Sequence, residues 1–240
     1  MQAAAPRGQR LYFTISSLFM NSLSITSLDP LDAERRASEL ATLSADVFAS
    51  EPWNEAFKCR TCKKSFGRAA AGEECCGTSL DVYYPPDATR AYYVRCLQNT
   101  RSRIAVAMDE QSDNRLIGFA LGWEDSLNGL CEKNFFQDEQ VREVSENTGF
   151  RAADPLFYFS EFGVTEELRG QGIGKRLFNT LFSSVDWSTV RGRIMRTSRQ
   201  SPAYSIASQN AAFPFMVVYQ YRDALERIIL TNPVYNAIYP

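Results

Sequence analysis

Apolar and polar positions alternate along the chain in blocks that read as mixed strands and helices. Leu23 to Leu28 is a short apolar run, followed by Asp29-Pro30, an N-cap residue with proline at the first helical position. Ala33, Ala37, Leu40, Leu43 and Val47 then recur at helical spacing and predict one helix ending near Glu51-Pro52-Trp53. A second helix is predicted from Thr89 to Gln98, after Pro85-Pro86. Ile104 to Met108 and Leu116 to Trp123 read as a hairpin around the polar tip Asp109 to Asn114. Leu156 to Thr165 is a strongly apolar and aromatic run, as expected of a central strand. Ile173, Leu177, Phe178, Leu181, Phe182 and Val185 form one apolar helical face after a glycine-rich loop. Arg193 to Thr197 predicts a strand, Ser201 to Asn210 a helix, and Phe215 to Tyr221 and Arg227 to Thr231 two closing strands. The expected architecture is a single α/β domain over 23–240, with a mixed sheet flanked by helices.

Three stretches break this rhythm. Residues 1–22 carry Arg7 and Arg10 before the short run Leu11 to Ile15, which reads as a poorly ordered start or an edge strand. It lacks the uninterrupted apolar core and cleavage site of a signal peptide. Residues 58–78 are rich in Cys, Lys and Gly and read as an inserted knuckle. Residues 124–155 are polar, with a helical stretch near Asp138 to Val144, and are long for a connection. They are expected to act as a lid or to shape a substrate site.

Composition narrows the chemistry. The chain has 240 residues and no histidine, which excludes Ser-His-Asp and Cys-His catalysis. A general base must then be a carboxylate, tyrosine, lysine, terminus or water. A formal net charge of -2 gives no basic field for nucleic acid. No apolar stretch has the length of a membrane span. The expected setting is cytoplasmic, with neither nucleic acid nor membrane as partner, and a homodimer is left open.

The loop Arg169-Gly170-Gln171-Gly172-Ile173-Gly174-Lys175 joins the central strand to the amphipathic helix. A helix start presents unpaired N–H groups, and its dipole favours an anion. Glycines let backbone approach a phosphate closely. Arg169 stands where a P-loop needs glycine, and Arg176 where it needs Ser or Thr. The G-x-G-x-G spacing also misses the dinucleotide fingerprint. Arg169-x-x-Gly172-x-Gly174, after the strand ending Glu161-Phe162-Gly163-Val164-Thr165, resembles the acetyl-CoA signature of the GNAT (Gcn5-related N-acetyltransferase) superfamily. Leu116 to Trp123, Arg196-Thr197-Ser198 and Val47-Phe48 with Glu51 to Glu55 resemble flanking segments of the same family. They look most like its bacterial small-molecule and aminoglycoside-type members.

The resemblance implies a GNAT-like fold with a splayed sheet, and acetyl transfer from acetyl-CoA to a primary amine, more readily a small molecule than a protein. Phe162, Gly163 and Val164 would contact the pantetheine arm. Arg169, Gly170, Gln171, Gly172, Ile173, Gly174 and Lys175 would hold the pyrophosphate, chiefly through main-chain N–H groups. Glu161 is the expected base, since a carboxylate in an apolar strand has its pKa raised by burial. The family's usual tyrosine position falls on Ala207, so Tyr204, one turn earlier, is the candidate proton donor. Ser201 and Asn210 are further cofactor contacts to test. A catalytically silent acyl-CoA sensor and a zinc-knuckle interaction module are the competing readings.

Cys59-x-x-Cys62 resembles a zinc knuckle, and Cys75-Cys76 supplies two more sulfurs, with Glu73 as an alternative ligand. A structural zinc on Cys59, Cys62, Cys75 and Cys76 competes with a disulfide or free thiols, and a reducing compartment disfavours the disulfide.

Overall fold

The computed structural model describes residues 22–209, 215–223 and 225–233. Asn210 and nearly all of the N-terminal segment lie outside the described residues. Seven strands form the main sheet: β1 (Leu23–Leu28), β2 (Arg103–Asp109), β3 (Arg115–Asp125), β4 (Leu156–Val164), β5 (Gly192–Ser198), β6 (Met216–Gln220) and β7 (Arg227–Pro233). Their order across the sheet is β1-β2-β3-β4-β5-β7-β6. All neighbours are antiparallel except β4 and β5, which run parallel. The mixed sheet flanked by helices is the architecture that the patterning predicts.

The strand leading into the first helix ends where Asp29 caps it, accepting from the N–H groups of Leu31 and Asp32. The predicted single helix is two: α1 (Pro30–Arg35) and α2 (Ala37–Phe48). The break is at Arg36, whose side chain reaches Glu39 and the carbonyl of Asn114. The apolar stripe still holds across the break, for Ala33, Ala37, Leu40, Leu43 and Val47 are all buried. Helix α3 (Pro86–Leu97) starts three residues earlier than the spacing predicts, because Pro86 suits the first turn.

The 124–155 stretch contains two helices, α4 (Leu127–Glu132) and α5 (Asp138–Thr148). Gln137 and Gln140 cap α5 reciprocally, and Gly149 closes it with φ 73°. Leu127, Leu130, Phe136, Val144 and Phe150 join the main core. Helix α6 (Ile173–Ser183) follows β4, and α7 (Pro202–Ser208) follows β5.

Period-2 alternation in β4 divides the core between the two sheet faces. Leu156 and Tyr158 pack with Leu40, Tyr93, Phe119 and Trp123 on the α2–α3 side. Phe157 and Phe159 pack with Leu177, Phe178 and Phe182 on the α6 side. There the Phe159 and Phe178 rings stack at 5.1 Å between centroids.

Residues 57–82 form a small lobe between α2 and α3. It has one three-stranded sheet of two-residue strands and a separate hairpin, Glu74–Cys75 with Thr78–Ser79. The four clustered cysteines lie in this lobe.

Candidate active site

Two irregularities in the middle of the sheet build the site. Along β4, Leu121 pairs with Glu161 but Gly122 pairs with Phe159, so Ser160 is an extra residue, a β-bulge. One extra residue reverses the alternation. Phe162 therefore stays on the α6 face with Phe157 and Phe159, while Glu161 turns to the α2–α3 face. The second irregularity is a parting of β4 from β5. Their pairing runs from Gly192 with Leu156 to Met195 with Phe159 and then stops. Beyond it, β4 pairs with β3 and β5 pairs with β7. Ser160 to Val164 thus face a gap along one edge.

A cavity of about 240 Å³ fills the upper part of this gap. Glu161 sits in its wall, where the Tyr92 hydroxyl donates to Oε1 at 2.9 Å. Burial pushes the Glu161 carboxyl up to about 7, with Glu55 adding to the rise, while Tyr92 and the Arg196 charge pull it down. Glu55 lines the same cavity and accepts from the Tyr84 hydroxyl. Its carboxyl is also raised, again by burial, with the Tyr84 bond opposing. Arg196 lines the opposite wall and donates to the Phe135 carbonyl at 2.8 Å. The aromatic rings of Trp53, Tyr83, Tyr84 and Phe135 complete an amphipathic pocket.

A second cavity of about 300 Å³ adjoins the first, and Trp53, Phe162, Ser201 and Ala203 line both. It is lined mostly by apolar surface and by the glycine loop, from Arg169 to Lys175 without Gln171. Gly163 and Val164 form its floor. A Cβ on Gly163 would stand 2.6 Å from Val47, so glycine is what lets α2 lie against the strand. Gly172 has φ 78° and caps α6 with no side-chain bond to the first-turn N–H groups. Those donors open toward the groove with the positive end of the helix dipole. Lys175 lies at the same rim.

The structure distributes the sequence candidates unevenly. Glu161, Phe162, Gly163, Val164, Gly170, Gly172, Ile173, Gly174 and Lys175 come together along the two connected cavities. Arg169 borders the groove, but its guanidinium is engaged elsewhere. It donates to the carbonyls of Val164, Glu51 and Val47 and to Ser50 Oγ, at 2.8–3.2 Å. Its main-chain N–H bonds Glu166. Arg169 is therefore a strut joining the loop to the end of α2, and its charge is not presented to the groove in the way the sequence suggests. Gln171 points inward, its Oε1 buried without a hydrogen-bond partner.

Tyr204 lines neither cavity. Its ring packs beside the α6-side core, and its hydroxyl accepts from Arg199 at 3.4 Å. The neighbouring Ala203 faces the site instead, and one residue of helix is a turn of about 100°. The structure thus does not bring Tyr204 to Glu161. Ser201 does line both cavities, with Oγ accepting from the Ala203 N–H. Tyr92, Tyr84, Glu55 and Arg196 are the functional candidates that spacing alone misses. The only trace of Tyr92 in the sequence is the Tyr92-Tyr93 pair within the predicted second helix.

The sequence matches no protein-family model and no curated protein. Solved structures do match. Agmatine N-acetyltransferase, in the apo form of a mutant, is 13% identical, with 89% of this chain and 100% of that chain covered and a TM-score of 0.55. Arylalkylamine N-acetyltransferase 2 from Aedes aegypti is 14% identical, covering 88% and 99%, with a TM-score of 0.54. The NatC complex bound to Gag peptide and CoA is 14% identical, covering 89% and 99%, with a TM-score of 0.50. Among the described residues no helix is long and apolar enough to cross a membrane. At these identities the likeness is one of architecture: the chain has the fold of the GNAT N-acetyltransferases.

Proposed function

We propose that this protein is an acetyl-CoA-dependent N-acetyltransferase acting on a small primary amine, with Glu161 as the base. One observation carries the reading. The bulge at Ser160 turns a half-buried carboxylate into the gap between parted strands, where the two adjoining cavities meet.

The groove suits acetyl-CoA. The uncapped start of α6, with Lys175 beside it, would take the pyrophosphate through the N–H groups of Gly172 to Lys175. Phe162, Gly163 and Val164 line the groove, and the Phe162 main chain on the unpaired edge of β4 would offer strand-like hydrogen bonds to an amide-containing arm. When bound, acetyl-CoA would supply the acetyl carbon that the amine attacks; CoA would leave as the thiolate and take up the proton that the acylated nitrogen sheds.

Glu161 takes a proton from the incoming ammonium, so that its nitrogen has a lone pair. A carboxyl near 7 is matched to this task, because about half of it is ionised at neutral pH and it holds a proton well. Tyr92 fixes the carboxylate's orientation through its 2.9 Å bond. Glu55 and the rings of Trp53, Tyr83 and Tyr84 favour a cationic acceptor before deprotonation. A volume of about 240 Å³ suits a small molecule better than a folded protein tail. Four cysteine thiolates would fill a zinc tetrahedron, so a metal in the small lobe would be structural and take no part in this chemistry.

The test is release of free thiol from acetyl-CoA across a panel of small amines, with Glu161→Gln in parallel. Turnover that depends on Glu161 supports the enzyme. A second reading, an acyl-CoA sensor, is favoured by the position of Tyr204 away from the gap, and CoA binding without turnover on any amine would select it.

A further inference from the structure

Residues 57–82 carry a feature that acetyl transfer does not use. The four sulfurs of Cys59, Cys62, Cys75 and Cys76 all lie within 4.8 Å of one another. Two of the separations are 3.7 Å, Cys62 to Cys75, and 3.8 Å, Cys75 to Cys76. Zinc–sulfur bonds of about 2.3 Å place the corners of a ZnS₄ tetrahedron about 3.8 Å apart. A disulfide needs about 2.05 Å between sulfurs, and all four cysteines are unbonded.

Two independent turns produce this convergence. In the first, Cys59 and Cys62 flank a tight turn in which the Lys63 N–H bonds the Cys59 carbonyl and the Cys59 N–H bonds the Lys64 carbonyl. Lys63 closes it with φ 63°. In the second, adjacent cysteines would point to opposite sides of an extended strand. Cys76 is instead left-handed, with φ 54°, and Gly77 follows with φ 72°. A left-handed non-glycine residue costs on the order of 1 kcal/mol, so its surroundings must hold it there.

The lobe has little else to hold it. Cys59 and Ala70 are its buried apolar residues. Its strands are two residues long, too short for independent stability. Lys58, Arg60, Lys63 and Lys64 flank Cys59 and Cys62 along the chain, which suits the double negative charge of zinc with four thiolates. An all-sulfur donor set selects zinc over the hard cations that need oxygen.

The lobe also borders the acceptor cavity at both of its ends. Phe57 pairs with Val82 and Lys58 with Asp81. The Tyr83 N–H bonds the Ala56 carbonyl at 3.0 Å. This closure sets Glu55 against the Tyr84 hydroxyl in the cavity wall.

We propose that Cys59, Cys62, Cys75 and Cys76 bind one zinc ion as four thiolates, and that this ion locks the wall of the acceptor cavity formed by Glu55, Tyr83 and Tyr84. The second half rests on the acetyltransferase reading, and the first does not.

The full chain, purified with reductant, is analysed for metal and reloaded with cobalt as a spectroscopic probe. One zinc per chain and the visible spectrum of tetrahedral tetrathiolate cobalt are expected. Cys62→Ser and Cys76→Ser should each weaken zinc by more than about 100-fold in chelator competition, beyond the usual loss from an outer-sphere partner. Circular dichroism and CoA binding check that the main domain of each variant is folded. Chelation of the unaltered protein gives a second route. It should accelerate hydrogen exchange at residues 55–84 and raise the KM for amine while leaving CoA binding unchanged.

Absence of stoichiometric zinc, or a Cys62–Cys75 disulfide in the intact mass, overturns the site. Zinc present but exchange at 55–84 unchanged by chelation overturns the wall-locking role. Failure to bind CoA, with zinc at full stoichiometry, instead sinks the acetyltransferase reading and leaves the metal site standing.

Discussion

Replacing Glu161 by glutamine should remove activity and, at alkaline pH, stabilise the fold. Burial holds the carboxyl at about 7 against an ordinary 4.5. At about 1.4 kcal/mol per unit, the difference amounts to ~3 kcal/mol, or ~2 kcal/mol if water in the open cavity screens part of it. The sign follows from which state holds the proton. Well below pH 4.5, Glu161 is protonated in both folded and unfolded chains and costs nothing, and at 4.5 the cost is still only a few tenths of a kcal/mol. Between about 4.5 and 7 the unfolded chain ionises first, so the fold loses stability as pH rises. Above about 7 the loss is complete. Glutamine has the same shape and can still accept from Tyr92, but it does not titrate. The variant should therefore match the parent near pH 4.5 and exceed it by ~2–3 kcal/mol well above 7. Urea denaturation at the two pH values measures this directly. The same shift sets the rate profile. The kcat/KM of the parent should climb with pH and level off above about 7, and the variant should be slower by ~10²–10⁴-fold. A stability difference that is flat with pH would refute the burial argument, and a rate limb far from 7 would separate Glu161 from the base.

Tyr92→Phe deletes the bond that lowers the Glu161 carboxyl, so the rate limb should move to higher pH by about 1 unit, as read from kcat/KM profiles. Arg169→Ala should cost ~2–3 kcal/mol in urea denaturation and weaken CoA in calorimetry. Lysine should not restore either, because it lacks the forked donors. Gly163→Ala should destabilise by ~1–3 kcal/mol, since its Cβ meets Val47 at 2.6 Å. Gly172→Ala meets no atom, and its cost of about 1 kcal/mol should come from backbone strain at φ 78°, with a matching loss of CoA affinity.

The features that could be read in advance are the ones that local chemistry determines. The Asp29-Pro30 cap, the apolar stripe from Ala33 to Val47 and the glycine loop ahead of Ile173 each follow from residue type and spacing. What stayed hidden depends on partners distant in the chain. Strict alternation cannot show that Ser160 is a bulge, because the bulge exists only relative to the register of β3. The orientation of Glu161 and its meeting with Tyr92, 69 positions away in sequence, follow from that register. The sequence shows the charge of Arg169 beside the glycine loop but not the four acceptors that hold its guanidinium, which come from the end of α2 and from Val164. Tyr204 failed on helix phase by a single position, since Ala203 holds the side that faces the gap. The cysteine spacing pointed to a metal, but only the left-handed Cys76 explains how adjacent sulfurs can serve one centre.

The parting of β4 from β5 has a mechanical consequence. On either side of it the sheet is antiparallel throughout, and within the sheet the two halves are joined by the pairing from Leu156 with Gly192 to Phe159 with Met195. That short seam is packed beneath by the Phe159 and Phe178 rings. The walls of the gap belong to different halves, with Glu161 on one and Arg196 on the other. A ligand that bridges them would tie the two strands together beyond the point where their pairing stops. It would quiet slow amide exchange along both strands together, well beyond the residues it touches.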